Sequence, residues 1–179
     1  MVLNVAVLIH ELAPVTRRTR RQRLRSASSP PTPPQYRVVV SDDLSLIQQV
    51  LVRYANAIDE LDFAALTTVF TPDARASYGG GPWLEGVDAI IEYISPLQTF
   101  AASFHFMGNM QIDVDGDRAR STTRSLTHLI AADGVLHARA LRYRDQLIRT
   151  PVGWRISERV HTAQWMWEGT ANVFTPGSR

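Results

Sequence analysis

No cysteine and no lysine occur among the 179 residues. The first absence removes disulfide scaffolds, thiol nucleophiles and cysteine-ligated zinc, and it suits a reducing cytoplasm. The second removes Schiff-base chemistry and the phosphate-gripping lysine of a P-loop. Long hydrophobic runs are missing too, since none approaches the roughly 20 residues that span a bilayer. What is present is ordinary for a soluble domain: 45% of the residues are hydrophobic, and the length suits one main core.

All 19 basic residues are therefore arginine, and they are unevenly placed. Residues 1–40 hold seven arginines against one acid, a charge of +6. The remainder holds twelve against sixteen, a charge of −4. The high isoelectric point belongs to the amino-terminal stretch and not to the body, so it gives no ground for a nucleic-acid partner. That stretch runs apolar, then basic ("RRTRRQRLR"), then Ser/Pro-rich ("SASSPPTPPQ"). The order is the reverse of a secretory signal. Residues 1–40 are read as a tail without a fold, with a gene-model extension favoured because "SDDLSLIQQ" after Val40 reads as a domain start. An arginine-rich arm for phosphates or anionic lipid, or a targeting peptide, are the alternatives. The domain is expected over residues 41–170, with a short tail at 171–179.

From Ser41, a helix-capping residue, Leu44, Ile47, Leu51, Tyr54 and Ile58 recur at helical spacing. Asp62 reads as the N-cap of a second helix, "FAALTTVF", closed by a "TPD" turn. A short strand "ARASY", a loop "GGGPWLEG" and a third helix "VDAIIEYI" follow. The period then changes to two. Strands run from Phe104 to Val114, Arg118 to Ile130, Val135 to Thr150 and Trp154 to Trp167, joined by Gly-containing turns, with an irregularity near Gly108. Helices first and an antiparallel meander after them give an α+β class, and a strongly twisted sheet around the helices would enclose a pocket.

Three acids close the first helix, in "RYANAIDELDF". On a wheel of about 100° per residue, Glu60 falls opposite the apolar arc and is solvated. Asp62 caps the next helix. Asp59 falls at the edge of the arc and is left without an ordinary explanation.

The stretches "YANAIDELDFAALTTVFTPDARASYG", "FHFMGNMQIDVDGDRARS" and "YRDQLIRTPVGWRISER" resemble a SnoaL-like domain of the nuclear transport factor 2 superfamily, over about residues 41–170. The resemblance implies a cone-shaped barrel in which a curved, mixed, largely antiparallel sheet wraps about three amino-terminal helices. It is closest to the branch of scytalone dehydratase and bile-acid 7α-dehydratase. That branch pairs an acid at the end of the first helix with a strand histidine, which match Asp59 and His105. Its tyrosines match Tyr54 and Tyr78, and the second histidine of scytalone dehydratase matches His128. A late-strand arginine matches Arg159. Tyr143, Trp83, Phe106 and Trp165 join Arg159 as expected substrate contacts. Ile58 stands where scytalone dehydratase has a tyrosine, which argues against the same substrate.

The constellation suits proton removal alpha to a carbonyl with loss of a beta hydroxyl. His105 would be the base, Asp59 would orient it, a tyrosine would hold the enolate, and His128 or returning His105 would protonate the departing oxygen. Such chemistry calls for no metal and no cofactor. The resemblance thus implies a dehydratase acting on a hydrophobic cyclic hydroxy-carbonyl compound, polyketide- or steroid-like. The alternatives are an isomerase or polyketide cyclase with the same base, and a non-catalytic binding or assembly module. Epoxide hydrolysis lacks a clear second aspartate. Plainer roles stay open as well. His105, between two phenylalanines, suits a core histidine. His128 shares its strand parity with Arg118, Arg120 and Arg124, which suits the outer face, but also with Leu126 and Ile130. His137 and His161 are read as surface or interface residues. A homodimer or homotrimer, paired through the exposed sheet face, is expected.

Overall fold

The computed structural model describes residues 41–173, so the predicted amino-terminal tail and the last six residues lie outside it, as does the Ser41 side chain read as a cap. Helix α1 (Ser41–Asp59) leads into a 3-10 helix (Phe63–Thr68). Strands β1 (Phe70–Tyr78) and β2 (Leu84–Glu85), helix α2 (Val87–Ile94) and a second 3-10 helix (Ser95–Thr99) follow. Four long strands complete the chain: β3 (Ala102–Asp115), β4 (Arg118–Ile130), β5 (Val135–Thr150) and β6 (Gly153–Thr170). Among the described residues they form one six-stranded sheet in the order β2-β1-β6-β5-β4-β3. The β1–β6 pair is parallel and all others are antiparallel. The class is α+β, as the order of periods predicts, and the sheet is open.

The predicted arc of α1 is largely the buried one. Ile47, Val50, Leu51, Tyr54 and Ile58 pack with Leu66, Phe70, Ile90, Leu147, Trp154 and Ile156. Each such aliphatic or aromatic side chain contributes about 1.5–3 kcal/mol on full burial. Leu44, read into the same arc, is exposed in the first turn. Helix α1 ends where Leu61 turns to a positive φ of 57°. Asp62 then caps the 3-10 helix, accepting from the Ala65 N–H at 3.2 Å.

Two local readings are corrected. The second helix stops at Thr68, and "TPD" lies inside β1 instead of in a turn. Phe70, Thr71, Ala74 and Ala76 are buried, so this stretch is held by the sheet. The β1–β6 register slips between Phe70 and Arg75, around Pro72, which has no N–H to donate. Leu84 and Glu85, read as loop, form the short strand β2 against β1.

Bulges set the facing of the long strands. In β3 one extra residue lies between the Gly108–Arg124 and Gln111–Thr122 pairs, and Asn109 there has a φ of 46°. Met107 on one side and Met110, Ile112 and Val114 on the other all reach the core. The inward parity thus changes across the bulge. Strand β6 changes phase twice against β5, next to Leu147 and next to Leu141.

Candidate active site

The carboxyl-terminal end of α1 packs on β3, and this contact builds the site. His105 Nδ1 lies 2.7 Å from Asp59 Oδ1. The Ser103 hydroxyl donates to the same oxygen at 2.7 Å, and the His105 backbone N–H donates to Oδ2 at 2.7 Å. Burial alone would raise the Asp59 carboxyl. The His105 and Ser103 hydrogen bonds outweigh it and hold the group below its usual range. An ionised carboxylate only accepts, so the neutral His105 ring carries its proton on Nδ1 and keeps Nε2 as the basic nitrogen. The His105 side chain is 4% exposed.

His105 lines a cavity of about 330 Å³ between the sheet and the helices. Tyr54 and Ile58 of α1 form part of its wall, with Tyr78 at the end of β1. Tyr93 and Ile94 of α2, and Pro96 and Leu97 beyond it, close another side. The sheet contributes Thr127, Leu129, Arg139, Leu141, Tyr143, His161, Ala163 and Met166. The size and the apolar walls with few polar groups are those of a small-molecule site.

The polar groups opposite His105 are mostly neutral donors. The Tyr54 and Tyr78 hydroxyls are 3.5 Å apart. Burial, reinforced by the nearby Tyr54, pushes the Tyr78 and Tyr143 hydroxyls well above the usual phenol range, so both remain protonated. The His161 ring lies 5.3 Å from those of Tyr78 and Tyr143. Burial first, then the charges of Arg159 and Arg139, pull its imidazole down to about 4. The Gly79 N–H donates to His161 Nδ1 at 3.3 Å, which leaves the proton of the neutral ring on Nε2 as a donor.

Beneath this layer Arg159 is fully buried and makes a two-pronged ion pair with Asp145 at 2.7 and 2.9 Å. Its guanidinium stands 3.9 Å from the Tyr54 ring centre and 4.6 Å from that of Tyr143. Burial works against its charge and the Asp145 carboxylate more than restores it.

The structure therefore brings Asp59, His105, Tyr54, Tyr78 and Tyr143 together. It does not bring His128. That residue pairs with Phe104 and Ala138, and the buried residues of β4 are its odd-numbered ones. His128 thus faces the outside, where its ring lies 6.5 Å from Phe104. The Arg118–Arg124 parity decides its face, not Leu126 and Ile130. Phe106 and Trp165 are also on the outer face and flank a separate surface groove. Trp83 is outside the cavity wall, with Arg75 stacked 4.5 Å from its ring. Arg159 supports the tyrosines from behind and does not line the cavity. His161, read as surface, is in the wall. Simple alternation from Ile156 turns it outward, and the phase change beside Leu147 turns it in. Its Tyr143 partner, itself a predicted contact, was the available signal.

A sequence model of the SnoaL-like domain matches residues 40–160. The chain belongs to this family. An uncharacterised protein of Mycobacterium tuberculosis (strain ATCC 25618 / H37Rv), Rv2910c, is 40% identical over 131 residues, covering 69% of this chain and 86% of the relative. Among solved structures, a Novosphingobium aromaticivorans protein described as a scytalone dehydratase is similar with a TM-score of 0.67 and 18% identity, over 77% of this chain and 95% of its own. A hexachlorocyclohexane dehydrochlorinase of Novosphingobium barchaimii is similar with a TM-score of 0.66 and 15% identity, over 75% and 95%. At these identities the two structures speak for the fold.

Proposed function

We propose that this SnoaL-like chain is a cofactor-independent acid–base enzyme, a dehydratase acting on a hydrophobic cyclic hydroxy-carbonyl compound. The observation that carries the reading is the Asp59–His105 hydrogen bond of 2.7 Å at the wall of an apolar cavity. His105 Nε2 takes a proton from the carbon alpha to the carbonyl. Asp59 stabilises the imidazolium, as the carboxylate of a catalytic triad does. The electron pair moves onto the carbonyl oxygen, where Tyr54, Tyr78 or the His161 Nε2–H donates. The enolate then re-forms its carbonyl as the beta C–O bond breaks. His105 returns the proton to the departing hydroxyl, and water leaves. Both solved relatives named above carry names that denote eliminations, which accords with this reaction.

The outward facing of His128 favours a second reading. With His128 outside the cavity, the same base returns the proton to carbon, as an isomerase or cyclase does. Thermal-shift screening of hydroxy-ketones, steroids and polyketide aromatics, followed by turnover assays, separates the readings. We expect wild type to convert a hit that His105→Ala binds but does not convert, a loss of at least about 10²–10⁴ in rate. Loss of water identifies a dehydratase, and an isomeric product the alternative. Hits that both proteins bind and neither converts would overturn the enzymatic reading in favour of a binding module.

We also propose a cytoplasmic homodimer or homotrimer. Phe104, Phe106, Leu126, Trp165 and Trp167 stand on the outer sheet face with exposures between 44% and 61%. Cross-strand pairing sets Phe106, Leu126, Ala140 and Trp165 in one row and Phe104, His128, Ala138 and Trp167 in the next. An apolar strip of this kind suits self-association. Light scattering at micromolar concentration should give two or three copies, and Phe106→Arg should give one. A monomeric wild type would remove this proposal.

A further inference from the structure

Arg139 is the arginine in the cavity wall. It stands on an inner row that runs across four strands, from His105 through Thr127 and Arg139 to Met166. At ordinary strand spacing its backbone is about 10 Å from that of His105, roughly the width of a fused-ring ligand. Arg75, Arg149 and Arg159 each meet a carboxylate. Among the described residues no ion pair joins Arg139 to an acid, and its Nε is buried without a hydrogen-bond acceptor. A buried guanidinium N–H that faces no acceptor is costly, and the planar fork of arginine fits a carboxylate better than any neutral group.

We propose that Arg139 recognises a carboxylate of the ligand, so that the cavity takes an amphipathic ring acid in preference to a neutral ring compound. The inference rests on the cavity's being the substrate site, as proposed above, and not on any reaction in it. In this arrangement His105 addresses the reacting carbon at one end of the row. Arg139 grips the anionic group two strands away. His161, beside it, is neutral and offers a hydrogen bond without a competing charge. The apolar ring lies against Leu141 and Leu97.

Titration calorimetry of the full chain with 1-naphthoate and with 1-naphthamide tests this. The two probes share shape and differ in charge. Wild type should bind 1-naphthoate about tenfold or more tightly than the amide, the scale of one charge-assisted contact. Arg139→Gln should erase that preference by weakening the acid and leaving the amide unchanged, whereas Arg139→Lys should keep part of it. Arg142→Gln is the control. Arg142 also has a buried, unpartnered Nε, but it pairs across the sheet with Arg124, a residue of the opposite face. That variant should keep the full preference. Equal affinities in wild type, a preference that survives Arg139→Gln in a protein with wild-type melting behaviour, or no binding of 1-naphthoate at millimolar concentration would each overturn the proposal. Selective binding without turnover of any ring acid would leave it standing and count only against the enzymatic reading.

Discussion

His161 shows how a single side chain inherits its properties from its neighbours. Its imidazole is pulled down to about 4 from an ordinary 6.5, by burial and by the Arg159 and Arg139 charges. The unfolded chain therefore binds a proton that the folded chain refuses, between about pH 6.5 and 4. The stability this group contributes is complete above that window and is lost as pH falls through it. Urea denaturation between pH 7 and 4 should show wild type weakening more steeply than His161→Gln. Equal slopes would mean that His161 is not held neutral. Asp59 acts in a lower window, because its carboxyl is depressed below 3.8 and its contribution is lost only as pH falls further. Elimination left Asp59 without an ordinary role, since Glu60 lay on the solvated side of the helix wheel and Asp62 suited a cap, and its pairing with His105 came from the family resemblance. His161 carried only the weaker signal of its Tyr143 partner, because its neighbours come from β1 and β5 and its facing depends on a bulge.

Within the strands, alternation was legible and its interruptions only partly so. The irregularity near Gly108 could be read from the sequence "MGNM", and the structure puts the extra residue there, with Asn109 at a φ of 46°. Asparagine tolerates that region, and a β-branched residue does not. Asn109→Val should cost about 1–2 kcal/mol of unfolding free energy, and Asn109→Gly should cost little, both measured by denaturant titration. A fully tolerated valine would mean that the bulge relaxes freely. The phase changes of β6 had no comparable marker. The bulges beside Leu141 and Leu147 fall at "AQW" and "ISE", which contain neither glycine nor asparagine. This is why simple alternation from Ile156 turns His161 outward, whereas at Trp165 the two phase changes cancel and the residue faces out. The start of β1 was misread for a related reason. Its Pro72 and Asp73 suit a turn locally, and only the neighbouring β6 makes the stretch a strand.

Across the whole molecule, the helix order, the meander and the α+β class followed from periodicity, a mixed sheet was implied only by the family resemblance, and the parallel pairing of β1 with β6 was not legible in the sequence. The buried Arg159–Asp145 pair could not be read at all, because nothing local says that β5 and β6 place these charges together in the core. Arg159→Met should destabilise by about 3–5 kcal/mol, since it leaves Asp145 buried and unpaired. Arg159→Met with Asp145→Leu should recover most of that loss in the same denaturation assay. If the double variant is no better than the single, the pair is more than a matched charge. The sheet itself has a plainer property. Phe104 and Phe106 look outward and His105 inward, on consecutive peptides, so the wall between cavity and outer strip is one chain thick. There is no insulating layer of side chains between them. Whatever settles on the outer strip handles the same peptide planes that aim the His105 ring, and whatever fills the cavity is felt on the outside.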